Sequence, residues 1–114
     1  MKVKWHLEEA VMLVELYGRV EKLNAIILKQ EIEKLSLILN KRAEILQIPT
    51  DDRFRNVNGI YMQLENIRYI QTNGREGLSA YSKVAQEAYQ LNCEMPEVFN
   101  RIVQEFIEKY MNKK

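Results

Sequence analysis

A chain of 114 residues, with 46% hydrophobic and 29% charged side chains, has the size and composition of one soluble globular domain built on one core. Seventeen basic and 16 acidic residues leave a formal charge of +1, so no overall basic footprint exists and any phosphate contact has to come from a local patch. A single cysteine, Cys93, and a single histidine, His6, exclude a disulfide framework and a cluster of thiolate and imidazole metal ligands. No run reaches the ~18 apolar residues of a membrane span, and the opening MKVKWHLEE lacks the apolar segment of a signal peptide. The expectation is a cytoplasmic protein with no membrane partner.

The first helix is expected over residues 7 to 23, where Leu7, Val11, Val14 and Tyr17 recur at steps of four and three. Glu8 and Glu9 fall in its first turn, where the helix dipole favours carboxylates. Trp5, just before, is expected to fold back as a packing anchor. Asn24 is the expected N-cap of a second helix over 26 to 48, with Leu28, Ile32, Leu35, Leu39, Ala43 and Leu46 in one stripe. Its charges, Lys29, Glu31, Glu33, Lys34, Lys41, Arg42 and Glu44, alternate in sign and read as a solvated face. The stripe also fits a dimeric coiled coil, although other amphipathic helices in the chain favour packing within it. Pro49 is expected to end this helix.

Phe54, between two arginines, is expected to enter the core while Arg53 and Arg55 point outward. A third helix over 56 to 70, expected as the central one, takes Asn56 or Asn58 as N-cap. Val57, Ile60, Leu64 and Ile67 share its core face, and Asn58, Met62, Glu65, Asn66 and Tyr69 fall opposite. The run QTNGREG then has the composition of a turn that needs positive φ. Leu78 and Ser79 open a fourth helix over 79 to 92, with Tyr81, Val84, Ala85, Ala88 and Leu91 inward. Cys93 is expected to be small, buried or half-buried packing. Pro96 suits the first turn of a fifth helix over 96 to 112, striped by Phe99, Ile102, Val103, Phe106 and Tyr110. No strand, internal repeat or low-complexity segment is expected. The prediction is an all-α single domain, 1 to 114. It is a five-helix bundle in which two C-terminal helices pack on a helix-turn-helix-like three-helix core.

No catalytic constellation stands out. Asp51 and Asp52 are adjacent loop acids suited to solvation or capping, His6 has no metal-ligand partners at fixed spacing, and Gly74 and Gly77 lack the strand and the Lys-Ser/Thr of a phosphate loop. The chain is therefore expected to be no enzyme, with no metal, cofactor or small-molecule substrate. Recognition is the better expectation, because residues 53 to 83 carry five positive side chains against two negative. From Val84 to Glu108 the balance reverses to five acids and one arginine, so a polyanion would meet the opposite side. Arginine, lysine and hydroxyl side chains hold phosphates, while arginine, asparagine and glutamine bond base edges in two places. In that reading Arg53, Arg55, Arg75 and Lys83 contact phosphates, and Asn58, Gln63, Asn66 and Tyr69 lie nearest the bases of duplex DNA. Two alternatives stay open. Met62 and Tyr69 could be buried beneath helices four and five, the polar residues only capping and bridging. Or the domain could be a protein-interaction or regulatory module, as a homodimer, with Tyr61, Met62 and Tyr69 as anchors.

Two stretches carry a resemblance. Trp5, Glu8, Glu9 and AVMLVELY resemble the opening helix of Myb-like helix-turn-helix domains. FRNVNGIYMQLENIRYI followed by GREGLSAYSK is similar to the FRNxNGIxMKLxN…GLSxxSK pattern in N-terminal regions of bacterial HNH-type restriction endonucleases and related phage-defence proteins. Arg55, Asn56, Asn58, Gly59, Leu64, Asn66, Gly77, Leu78, Ser79, Ser82 and Lys83 carry the match. The resemblance implies a non-catalytic, DNA-engaging helical module of a restriction or defence system, alone or within a larger defence protein, without the catalytic HNH part. Gln63 stands where the pattern has lysine, which removes one positive charge from the expected surface.

Overall fold

The run AVMLVEL is apolar on almost every side, and the helix that contains it, α1 (Leu7–Arg19), is buried on almost every side. The computed structural model describes residues 3–111, apart from the side chain of Glu21. Around α1 pack α3 (Val57–Gln71), α4 (Lys83–Glu94) and α5 (Pro96–Phe106). The long α2 (Ala25–Ile45) lies outside this group, against α3 and a π-helical turn, Ile107–Met111, that continues α5. Among the described residues there is no strand, and the architecture is an all-α bundle of five helices. The centre is thus α1 rather than α3. A helix with one apolar stripe, such as α3, needs only one neighbour, whereas the buried Ala10, Met12, Leu13 and Leu16 require cover on several sides.

Local chemistry sets most helix ends. Asn24 caps α2 by accepting the Ile27 amide at 2.9 Å, and Asn56 caps α3 by accepting the Gly59 amide at 2.7 Å. Pro96 occupies the first turn of α5. Three ends differ clearly from the sequence reading. α2 stops at Ile45, where Gln47 turns left-handed at φ 58°; Gln47 and Ile48 donate back to the Glu44 and Ala43 carbonyls, so the helix is closed before Pro49 can act. α4 begins at Lys83, not at 79, because the Ser82 hydroxyl takes the Ala85 amide at 3.1 Å and residues 78–80 are held on α3. α1 ends early too, at Arg19, and a single 3-10 turn covers Val20–Lys22. The expected end of the last helix at 112 lies outside the described residues. Cys93, expected to be at least half-buried, is exposed.

Four charges sit where the sequence suggested solvent or a dipole partner. Glu9 is 1% exposed, Arg42 4% and Arg55 8%. Arg55 does not point outward. Its Nε and Nη2 donate to the two carboxylate oxygens of Glu9 at 2.8 and 3.0 Å, and its other donors reach the Val3 and Lys4 carbonyls at 3.2 and 3.1 Å. The guanidinium lies between the rings of Trp5 and Phe54, 4.0 and 4.2 Å from their centres. Arg42, on the face of α2 read as solvated, donates to Glu8 at 2.5 Å and lies 3.8 Å from Glu9. Tyr110, from the π turn, donates to the same Glu8 oxygen at 3.4 Å. Glu9 has a further role: it accepts the His6 amide at 2.9 Å in a capping box, with His6 as N-cap of α1. Two carboxylates and two guanidiniums therefore join α1, α2, the turn before α3 and the end of the chain. The Arg55 backbone is itself left-handed, at φ 45°, and is held by Ser36, whose hydroxyl donates to the Arg55 carbonyl at 2.7 Å, while Asn40 donates to Phe54 at 3.0 Å.

The connection from α3 to α4 runs back over α3. Asn73 and Gly74 are both left-handed, and their amides donate to the Ile70 and Tyr69 carbonyls, closing α3. Gly77, at φ 90°, then lets the chain touch the helix: a Cβ there would lie 2.3 Å from the Glu65 carbonyl oxygen and 2.7 Å from the Tyr69 nitrogen. Leu78 donates its amide to that same Glu65 carbonyl at 3.0 Å. Residues 78–80 thus form a strap along α3.

Removing one member of a buried ion pair leaves the other charge unpaired, at a cost of about 3–5 kcal/mol, a large share of the ~5–15 kcal/mol that holds a domain together. Glu9→Leu and Arg55→Leu are each expected to lose about that much in urea unfolding, and the double variant to recover more than half of the summed loss; additive losses would contradict the pairing. Gly77→Ala is expected to free the strap, seen as loss of hydrogen-exchange protection at the Leu78 amide while the core amides of α1 stay protected.

Candidate nucleic-acid interface

α3 is capped by Asn56 at one end and closed by Asn73 and Gly74 at the other, and its core face of Ile60, Leu64 and Ile67 is buried. Its outer side is divided rather than open. Asn58 is exposed and Met62 is 49% exposed, while Gln63 is half-buried. Asn66, placed by the helical wheel on the outer side, is only 6% exposed, because the strap from Gly77 to Ala80 crosses the helix there. Tyr69 is likewise half-covered, its ring 5.9 Å from that of Tyr81, and a Cβ at Gly74 would lie 3.2 Å from its hydroxyl. Helices four and five do not seal Met62, so the fully buried alternative fails for that residue.

Of the four cations expected at phosphates, three remain on the surface. Arg53, Arg75 and Lys83 are exposed and make no ion pair among the described residues. The fourth, Arg55, is committed internally, as described. Arg68 is paired with Glu76 and lies 3.6 Å from Glu65. The hydrogen bond to Glu76 raises its already high pKa, so both local acids are matched and the free charge of this side is positive.

Two open grooves meet on α3. One, of about 240 Å³, is bordered by Trp5, Thr50, Arg53 and Asn56. The other, of about 410 Å³, lies between Met62 and Asn66 on the helix and Leu78, Ser79 and Ala80 on the strap. Gly59 and Gln63 border both, so a continuous surface runs from Arg53 across the first turns of α3 to Ser79. Asn66 lines the second groove, and its Oδ1, closed to solvent, has no hydrogen-bond partner among the described residues. The sequence reading named Asn66, Gln63 and Asn58 but missed the strap, because only the close approach at Gly77 reveals that GLSA lies opposite Asn66. The surface thus offers carboxamides, a hydroxyl, apolar side chains and flanking cations. No group of three or more His, Cys, Asp or Glu side chains suited to a metal ion occurs among the described residues, and no helix among them is long and apolar enough to cross a membrane. No protein-family model, curated protein or solved structure matches this chain.

Proposed function

We propose that this chain is a non-catalytic DNA-binding module of a bacterial restriction or phage-defence system, acting in the cytoplasm and seated on duplex DNA by α3 and the cations beside it. The observation that carries the reading is the pairing pattern. Every acid between residues 53 and 83 is matched by Arg68, whereas Arg53, Arg75 and Lys83 are left exposed and unpaired around a helix face of Asn58, Met62 and Gln63. Arg53 precedes α3 and Arg75 follows it, and a helix of 15 residues is about 22 Å long, enough to reach phosphates on both sides of a ~12 Å major groove. The acids at 87, 94, 97, 105 and 108 belong to α4, α5 and the π turn, which favours approach of a polyanion from the α3 side. The resemblance of the FRN…GLS segments to restriction and defence proteins supports the same reading.

A second reading has its own observation. Tyr61 and Met62 are each about half exposed, at 51% and 49%, on adjacent positions of α3, and tyrosine and methionine are favoured in interface cores. Tyr69, its third expected anchor, is already partly covered by Tyr81. Sedimentation of the isolated chain, alone and with duplex DNA at low salt, separates a homodimer from a DNA complex.

Each phosphate contact contributes about 0.9 to the slope of log affinity against log salt. Arg53→Ala, Arg75→Ala and Lys83→Ala are each expected to flatten that slope by about one unit for all duplex sequences, with the melting temperature unchanged. Arg55→Ala is expected to act by unfolding instead. Unchanged slopes in all three surface variants would contradict the assignment.

A further inference from the structure

Asn66 is the one buried side-chain polar group among the described residues that has no hydrogen-bond partner. Nearly all buried polar groups in folded proteins are bonded, and an orphan lowers stability, so its retention calls for an explanation. The neighbouring residues supply one. Asn66 lines the groove of about 410 Å³ between α3 and the strap, within the ~300–1,000 Å³ range of small-ligand pockets. No charged side chain lines the groove; Met62, Leu78 and Ala80 give apolar surface and Gln63 and Ser79 give hydrogen-bonding groups. Both Met62 and Leu78 are left substantially exposed, as the walls of an unfilled slot would be.

A carboxamide presents an acceptor beside a donor. Its complement is a flat edge carrying an amino group next to an unprotonated ring nitrogen, the pattern with which asparagine recognises adenine and which cytosine and guanine also display but thymine does not. The flat faces of such a ring would lie against the Met62 thioether and Leu78. Because Asn66 is only 6% exposed and its Oδ1 is closed to solvent, it cannot reach the edge of a base that remains stacked in a duplex, and the strap has to give slightly for a base in the groove to meet that oxygen. The base has to come to it.

We propose that the groove between α3 and residues 78–80 is a pocket for one amino-bearing nucleobase turned out of the DNA, with Asn66 bonding its edge. The assignment rests on the DNA-binding reading above and adds to it what part of the DNA is read. Arg53 and Lys83 hold the backbone outside the pocket, and the uncharged slot between takes the uncharged base.

The test uses the full chain and short duplexes carrying 2-aminopurine at a mismatch, where extrusion is easiest. Binding is expected to raise the fluorescence of the probe several-fold, as unstacking does. Asn66→Leu is expected to abolish that rise while melting no lower than the parent and retaining the salt-dependent duplex affinity set by Arg53 and Lys83; Asn66→Ala serves as the second variant. Replacing the target base by thymine, which lacks the amino group, should weaken binding by the parent and leave the variant indifferent. Salt-dependent binding with flat fluorescence, or an Asn66→Leu protein that extrudes and discriminates like the parent, overturns the pocket and leaves the DNA reading intact. Failure of the chain to bind either duplex or single-stranded DNA at low salt overturns both.

Discussion

The bidentate contact between Glu9 and Arg55 joins parts of the chain 46 residues apart. It ties the first turn of α1 to the turn that launches α3, with Trp5 and Phe54 stacked about the guanidinium and Arg42 and Glu8 completing the charge balance. Burying three ionised groups, with Glu8 half-buried beside them, is unfavourable unless each is paired and bonded. Here every one is, and the geometry that satisfies them leaves little freedom in where α3 starts. Arg55 accepts a left-handed backbone to make these bonds, and Ser36 and Asn40 of α2 hold that backbone from the other side. The cluster contributes placement more than net stability, since an apolar set of the same volume could be as stable.

From that anchored start α3 runs out along α1, and its outer side is finished by the strap. Gly77 permits the chain to press on the Glu65 carbonyl, and this single contact decides which residues of α3 are surface and which are pocket. Asn58 and Met62 stay outside; Asn66 is roofed over. The same folding therefore produces an exposed helix face flanked by unpaired cations and, beside it, an uncharged slot with an unsatisfied carboxamide. Under the DNA-binding proposal, the cations would hold the backbone and the slot would read a base, the division of labour between phosphate contacts that position and polar contacts that specify.

Features decided by near neighbours in sequence were legible. The asparagine caps at 24 and 56, the proline start of α5 and the apolar stripe of Phe99, Val103, Phe106 and Tyr110 all follow from spacing and side-chain chemistry over one or two turns. Features decided by distant partners were not. Arg42 and Arg55 look like surface arginines until Glu8 and Glu9 arrive from 34 and 46 residues away. Asn66 looks like an outer-face residue until the strap folds over it, and Ser79 looks as good a helix cap as Ser82 until Leu78 bonds to α3. From sequence the acidic pair at 8 and 9 reads as a dipole partner. That role is real for Glu9, which closes the capping box, but it is the lesser of the two that the residue performs.

The claim that the α3 side meets DNA is tested most directly by titrating isotopically labelled protein with duplex DNA and following backbone amide shifts. The account predicts perturbations concentrated at Arg53, Asn58, Gln63, Arg75, Ser79 and Lys83, with α5 silent. Shifts confined to α4 and α5, or none at low salt, would contradict it.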